Sequence, residues 1–220
     1  MMSNEKLTIK ETASIIVEAG LNALPVGGGS LATLYFGVKQ EKKFKRLERF
    51  YNELQSRLNK IEKLDISQAD QGALASIIEE INEAVEEDFT ENRLKYFQNC
   101  FLNSLQPGGE EQYDKKRYFI SKLARLSDID IQVLVHLYKA PEDHVFNYAK
   151  EEEWAGDFNA ALERMKSDGF IGSKLSASLI PGIDWGEVNG YYISKFGKEF
   201  VEYCLAVKEG DGVRLTVDSD

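Results

Sequence analysis

The sequence predicts a mainly α protein, with an all-helical N-terminal region followed by a C-terminal helical region that carries one small β-hairpin. Three observations predict this. Phe44, Leu47, Tyr51, Leu54, Leu58 and Ile61 are spaced 3, 4, 3, 4 and 3, the a/d seam of a heptad helix. Helix-starting residues precede apolar-periodic runs at Thr8, Ser30, Thr90, Ser127 and Asp157. Only beyond Gly169 do short strand patterns appear, at Phe170 to Leu175 and Tyr191 to Ser194, joined by the Gly- and Pro-bearing loop SASLIPGIDWGEVNG.

The first helix follows Thr8 and Glu11, which have capping-box spacing, and gathers Ala13, Ile16, Val17, Gly20, Leu21 and Leu24 on one face. It ends at Leu24-Pro25, because the residue before proline avoids the α region. Gly27-Gly28-Gly29 permits backbone angles closed to other residues, and Ser30 can start the next helix. The stretch therefore reads as a helical hairpin, with Ala19, Gly20, Ala23, Gly28 and Ala32 small enough for close approach. The second helix is expected from Ser30 to Leu64, about 52 Å at ~1.5 Å per residue. Its narrow seam must be buried by another helix. Two and a half heptads are short for an independent coiled coil, so packing inside the subunit is expected ahead of dimerisation.

A third helix follows the turn at Asp65 to Asp70, with Leu74, Ile77, Ile78, Ile81 and Val85 on one face and Glu79, Glu80, Glu83, Glu86 and Glu87 mostly on the other. Thr90 starts a fourth. There Leu94, Phe97, Cys100, Phe101 and Leu105 join Tyr96 and Leu102 to make a helix apolar nearly all round, the expected centre of the N-terminal core. Pro107-Gly108-Gly109 ends it, and a fifth helix is expected from Tyr113 to Leu126. Ser127 caps an apolar helix from Ile129 to Tyr138 that Pro141 closes, and a polar segment from Asp143 to Trp154 follows. Asp157 is expected to cap a helix from Phe158 to Ser167, stopped by Asp168-Gly169. A last helix runs from Phe196 to about Val207, before a loose acidic tail. The expected division is a helical region over 1–106, a linker and connecting helix over 107–126, a domain over 127–207 and a tail over 208–220.

Leu162 through Gly169-Phe170-Ile171, then Tyr192-Ile193-Ser194 and Gly197, resembles a winged-helix domain over about Ile129 to Leu205. The resemblance implies a C-terminal winged helix, in which Asp157 to Ser167 is the helix that a DNA-binding member lays in the major groove. Residues 1–126 resemble no characterised family.

Composition sets limits on function. The hydrophobic fraction of 43% and aromatic fraction of 11% suffice for an ordinary core. Cys100 and Cys204 lie among apolar neighbours and read as reduced core residues of a cytosolic protein. With no CxxC and only His136 and His144, neither a metal site nor a cofactor is expected. His136, inside an apolar helix, reads as a core histidine, and His144 as exposed with no nucleophile to serve. Gly27-x-Gly29-x-x-Ala32 fits a dinucleotide fingerprint only superficially, since no strand precedes it. No catalytic residue is assigned, and an enzyme ranks last.

The net charge of −10 is uneven. Residues 1–60 hold ten Lys/Arg against six Asp/Glu, and residues 61–220 seventeen against thirty-one. Over Asp128 to Leu205 the count is seven basic against fourteen acidic, which disfavours DNA. Arg164 and Lys166, with Lys174 and Lys195, are the only candidates for DNA contact there, and no cluster of Arg, Asn or Gln is available for base edges. The local basic run Lys39, Lys42, Lys43, Lys45, Arg46 and Arg49 is a candidate partner or membrane surface, as is Trp185 in an apolar loop tip with Ile180, Pro181 and Ile183. The twenty residues between Glu18 and Lys39 lack charge, but Pro25 and the glycines favour a turn over a spanning helix. The opening MMSNEKLTIKETAS is too charged for a secretory signal.

The first expectation is thus a non-enzymatic, cytoplasmic interaction or adaptor protein. It would use the apolar hairpin and long helix for self-association or partner binding, with the winged helix as a protein-contact module. The alternatives are a DNA-binding winged-helix regulator and an effector that inserts the Gly-rich hairpin, residues 19–49 then meeting a membrane surface.

Overall fold

The computed structural model describes residues 17, 34–60, 71–87, 90–105, 110–141, 146–147, 155–176, 188–209 and 212–216. They are mainly helical, with two small antiparallel sheets toward the C-terminus. The chain divides into two compact units, Met1–Ala124 and Arg125–Asp220. The first expected helix (Val17 apart), the Gly-rich hairpin with Ser30, the turn at 61–70 and the Pro107-Gly108-Gly109 stop lie outside the described residues.

The first unit is built on α1 (Leu34–Lys60), α2 (Gln71–Glu87), α3 (Glu91–Ser104) and α4 (Glu110–Leu123). Helix α1 packs on α2 and α3, α2 also packs on α3 and α4, and α3 packs on α4. Of the heptad seam, Leu47, Tyr51, Leu54 and Leu58 are buried and Phe44 is half-buried, while Ile61 lies outside the described residues. Phe50, one position beside the seam, is also fully buried. That third apolar residue widens the seam in its middle heptad toward the face of a globular bundle helix, which needs two neighbours rather than one. The seam is covered by α2 and α3 of the same chain.

Opposite it stand Leu74, Ile77, Ile81 and Val85 of α2 and Leu94, Phe97 and Phe101 of α3. Every side chain of α3 from Tyr96 to Ser104 is buried, including Gln98, Asn99 and Asn103. Buried amides need partners, and α1 provides them for Gln98 and Asn99. The Arg57 guanidinium donates to Gln98 Oε1 at 2.9 Å and to Asn99 Oδ1 at 2.6 Å, and Gln98 Nε2 donates to Glu53 at 3.0 Å. Tyr51 donates its hydroxyl to Asn82 Oδ1 of α2 at 2.8 Å, and burial raises its pKa. Thr90 sits at the N-cap of α3 with extended backbone but makes no side-chain capping hydrogen bond. Helix α4 begins at Glu110 rather than Tyr113 and buries Phe119, Ile120 and Leu123. It is a member of the bundle, where a connecting helix after a linker was expected.

In the second unit, α5 (Asp128–Lys139) starts at the expected cap. Ser127 Oγ accepts from Asp130 N at 3.3 Å and Asp130 Oδ2 accepts from Ser127 N at 2.8 Å, a complete capping box. Ile131, Val133, Leu134, Val135 and Leu137 fill the interior, whereas His136 is exposed, correcting the expectation of a core histidine. Position 136 falls on the one narrow outward stripe of this otherwise apolar helix. Strand β1 (Phe146–Asn147) was not anticipated, because two residues inside a polar segment carry no alternation. Helix α6 (Ala155–Ser167) begins two residues before Asp157, which therefore lies in the first turn instead of capping it. A carboxylate there still favours the helix, because it faces the positive end of the helix dipole.

Helix α6 ends in a Schellman turn. Phe170 N donates to Met165 O at 2.9 Å and Gly169 N to Lys166 O at 3.0 Å, with Gly169 at φ +80°, a left-handed conformation that suits glycine. Strands β2 (Ile171–Ser176) and β3 (Val188–Ile193) pair antiparallel with Ile171 opposite Ile193, and β3 lies between β1 and β2. Helix α7 (Lys195–Phe200) is capped by Ser194 and runs into a π-turn, Val201–Leu205. The final helix is thus shorter than expected. The tail expected to be loose instead forms a hairpin of β4 (Ala206–Glu209) and β5 (Gly212–Leu215), with Thr216 donating through N and Oγ1 to Leu205 O. Glu209 pairs with Gly212.

Candidate functional site

The residues that carry the sequence resemblance meet at one joint in the second unit. Ser194 Oγ donates to Gly169 O at 2.7 Å and accepts from Gly197 N at 2.9 Å, while Ser194 N donates to Phe170 O at 3.0 Å. A Cβ on Gly197 would collide with the Phe170 carbonyl oxygen and press on Ile193. Leu162, Phe170 and Ile171 are buried beneath, and the Phe170 ring stacks on Phe196 at 5.5 Å and tilts onto Phe200 at 4.6 Å. This joint fixes where α6 leaves off and where the β2–β3 pair begins, so it sets the surface that α6 presents.

That surface is polar and close to neutral. Ala161, Leu162 and Met165 face inward, and Gly156, Asp157, Asn159, Ala160, Glu163, Arg164, Lys166 and Ser167 are exposed. Arg164 nevertheless reaches across to α5. Its Nη2 and Nε donate to Asp130 Oδ1 at 2.8 and 3.3 Å, so one carboxylate with a 3% exposed side chain closes the cap of α5 and holds the cation of α6. Glu163 accepts from the Tyr191 hydroxyl at 3.3 Å, and burial together with the nearby carboxylate raises the pKa of that tyrosine. Tyr138 is raised in the same way, by burial and by Glu202 at 3.4 Å. Lys166, Lys174 and Lys195 are exposed, and the Lys174 ammonium stands 5.2 Å from the centre of the Tyr192 ring. Gly172 makes room for that ring, since a Cβ there would strike it.

Three residues of the basic run on α1 are met by carboxylates of their own unit. Lys43 Nζ pairs with Glu86 of α2 at 3.0 Å, Lys45 with Glu41 at 2.7 Å and Arg49 with Glu53 at 2.8 Å. The hydrogen bond between Lys45 and Glu41, followed by their mutual attraction, raises the pKa of the first and lowers that of the second. The Arg46 side chain is partly buried, and Lys42 is exposed to solvent. Lys39 lies within the helical span of α1, with its side chain outside the described residues. Sequence reasoning could have found part of this, because Glu41/Lys45 and Arg49/Glu53 are i,i+4 pairs. The Lys43–Glu86 pair joins residues far apart in sequence and needed the fold.

Trp185 and its loop and His144 lie outside the described residues. Cys100 and Cys204 are both buried, and neither is in a disulfide. Among the described residues no group of three or more His, Cys, Asp and Glu could hold a metal ion, and no helix is long and apolar enough to cross a membrane. No protein-family model, curated protein or solved structure matches the chain.

Proposed function

We propose that the chain is a non-enzymatic interaction protein whose C-terminal unit is a winged helix used for protein contact. The order α5, β1, α6, β2, β3, with β3 central in an antiparallel sheet, supports the winged-helix reading. So does the joint built from Gly169, Phe170, Ser194 and Gly197, the residues that carry the resemblance. In such a domain α6 is the helix that meets the partner.

The choice between protein and DNA rests on the Arg164–Asp130 pair. Phosphate binding needs cations that can displace the counterions condensed on the duplex, and base readout needs a side chain with open donors. Arg164 gives its Nη2 and Nε donors to a buried carboxylate, and the rest of the exposed face sets Asp157 and Glu163 against Lys166. A neutral helix face of small and polar residues suits a protein surface better than a phosphate backbone. The α1 seam is buried inside its own bundle, so contact with a second copy of the chain uses some other surface.

Fluorescence anisotropy with mixed-sequence duplex DNA tests the choice. The expected result is weak binding that vanishes at moderate salt and ignores charge reversal at Lys166, Lys174 and Lys195. A photo-crosslinker replacing Ala160 is expected to yield discrete protein adducts in extract of the source cells. Duplex binding that persists at physiological salt and disappears with Lys166→Glu would overturn the reading in favour of a DNA-binding regulator.

A further inference from the structure

Strand β2 offers the longest open strand edge among the described residues. It pairs with β3 alone, and the order β1-β3-β2 leaves its other side without a neighbouring strand. The pairing runs without a bulge from Ile171 opposite Ile193 to Ser176 opposite Val188. Opposed residues in an antiparallel pair alternate between those that exchange hydrogen bonds and those whose N–H and C=O point away. Ser194 N donates to Phe170 O at 3.0 Å, so Phe170 and Ser194 form a bonded pair and fix the phase. Gly172, Lys174 and Ser176 therefore bond to β3, while Ile171, Ser173 and Leu175 turn their N–H and C=O to the open side. Ile171 is 3% exposed, so the open stretch begins at the half-buried Ser173. No hydrogen bond reaches the Ser173 or Leu175 backbone from that side among the described residues.

The side chains along this edge also differ by face. Ile171 and Tyr191 are buried on one face, and the exposed Lys174 stands on the other. There its ammonium lies 5.2 Å from the centre of the Tyr192 ring, which itself lies over Gly172. The ring orders the cation without neutralising it. Lys174 makes no ion pair among the described residues, and neither β2 nor β3 holds a carboxylate.

We infer that the open edge of β2 takes up an extended segment of a partner protein as a further antiparallel strand, with a carboxylate of that segment opposite Lys174. Exposed main-chain donors and acceptors in a strand are matched by another strand, which supplies the same groups at the same spacing. Strand edges are commonly blunted by proline, a bulge or brevity; β1 is two residues long, whereas β2 is six and has neither proline nor bulge. The single lysine selects the occupant. Self-pairing of β2 across a two-fold axis would set Lys174 against its own copy, directly or one step along, with no carboxylate on either strand. A strand bearing one acidic residue on the Lys174 face turns the same cation into an attraction. The edge needs only the pairing of β2, so it holds or fails apart from the role given to α6, which crosslinking at Ala160 reports.

The test adds a fluorescent Thr- and Val-patterned peptide with one central glutamate to the full-length protein. Anisotropy reads the affinity, and amide hydrogen exchange by NMR reads the edge. In the free protein the Ser173 amide should exchange fast and the Lys174 amide slowly; at saturation Ser173 and Leu175 should slow as well. Methylating the peptide amides on either side of the glutamate, which face β2, should abolish binding. Methylating the glutamate's own amide, which faces away, should spare it. Ser173→Pro removes an open-side N–H that the β2–β3 ladder does not use, and should abolish binding with the circular dichroism unchanged. Lys174→Glu should weaken binding about fivefold, and a peptide with lysine in place of its glutamate should restore it. Absence of binding, indifference to which amides are methylated, or a charge swap that restores nothing overturns the inference. So does a Ser173 amide already slow in the free monomer. A dimer that Ser173→Pro dissociates overturns it in favour of a second copy of the chain.

Discussion

Replacing Arg164 by alanine separates a structural cation from a ligand-binding one. The substitution leaves Asp130, whose side chain is 3% exposed, with its Oδ2 still on Ser127 N and its Oδ1 without the guanidinium. Breaking a fully buried ion pair from one side costs about 3–5 kcal/mol. Here the arginine is 51% exposed and water can approach from that side, so the expected cost is about half, ~2 kcal/mol. Arg164→Lys loses the fork that reaches Oδ1 with two nitrogens and should cost about 1 kcal/mol. Lys166→Ala, exposed and on the same helix, should stay within about 0.5 kcal/mol. Urea unfolding followed by circular dichroism reads the shift in midpoint. Native-state hydrogen exchange of α5 and α6 assigns the loss to the second unit, since the two units need not unfold together. If Arg164→Ala costs no more than Lys166→Ala, the pair contributes nothing to the fold. The cation would then be open to a ligand, and DNA readout by α6 would become the better reading.

Further outcomes follow from the same contacts. Gly197→Ala should destabilise the second unit by more than 3 kcal/mol by order of magnitude, because the new methyl meets a fixed backbone carbonyl, whereas Gly172→Ala meets the Tyr192 ring, which can swing away, and should cost about 1 kcal/mol. Differential scanning calorimetry of the two variants checks the ranking, and equal losses would refute it. Arg57→Ala removes the donors to Gln98 and Asn99, both buried, and should cost about 2 kcal/mol in the first unit, measured by denaturant unfolding. Burial raises Tyr51, Tyr138 and Tyr191 above the ordinary 10.0, so the folded state favours the neutral phenol. The stability it contributes is complete below that ordinary value and is lost as pH climbs through the folded values. Phenolate absorbance should accordingly lag in the native protein and rise together with unfolding; simple titration of all ten tyrosines near the ordinary value would contradict it.

Helix periodicity was legible because it is local, and so was the cap at Ser127, whereas Thr90 makes no capping hydrogen bond and Asp157 lies inside its helix. The seam at Leu47, Tyr51, Leu54 and Leu58 and the all-round burial of α3 depend on residues within a turn or two of one another, and the apolar pattern alone specifies them. The stop at Gly169 was legible for the same reason, since a left-handed residue is needed where α6 turns into β2. Strand β1 was not, because two residues acquire a strand geometry only from the neighbour that β3 supplies. The β4–β5 hairpin hid under acidic charge, and its first residues continue the apolar run of the π-turn.

The candidate surfaces divide along the same line. Sequence alone determined that the chain is mainly helical, that its C-terminal half is acidic and that its cations gather on two or three helices. Only the tertiary structure decided which of those cations are already engaged: Lys43 by Glu86, Arg57 by Gln98 and Asn99, Arg117 by Glu80 and Arg164 by Asp130. Each of those pairs joins residues thirty or more positions apart, and no local pattern encodes which distant partner a side chain will meet when the helices pack.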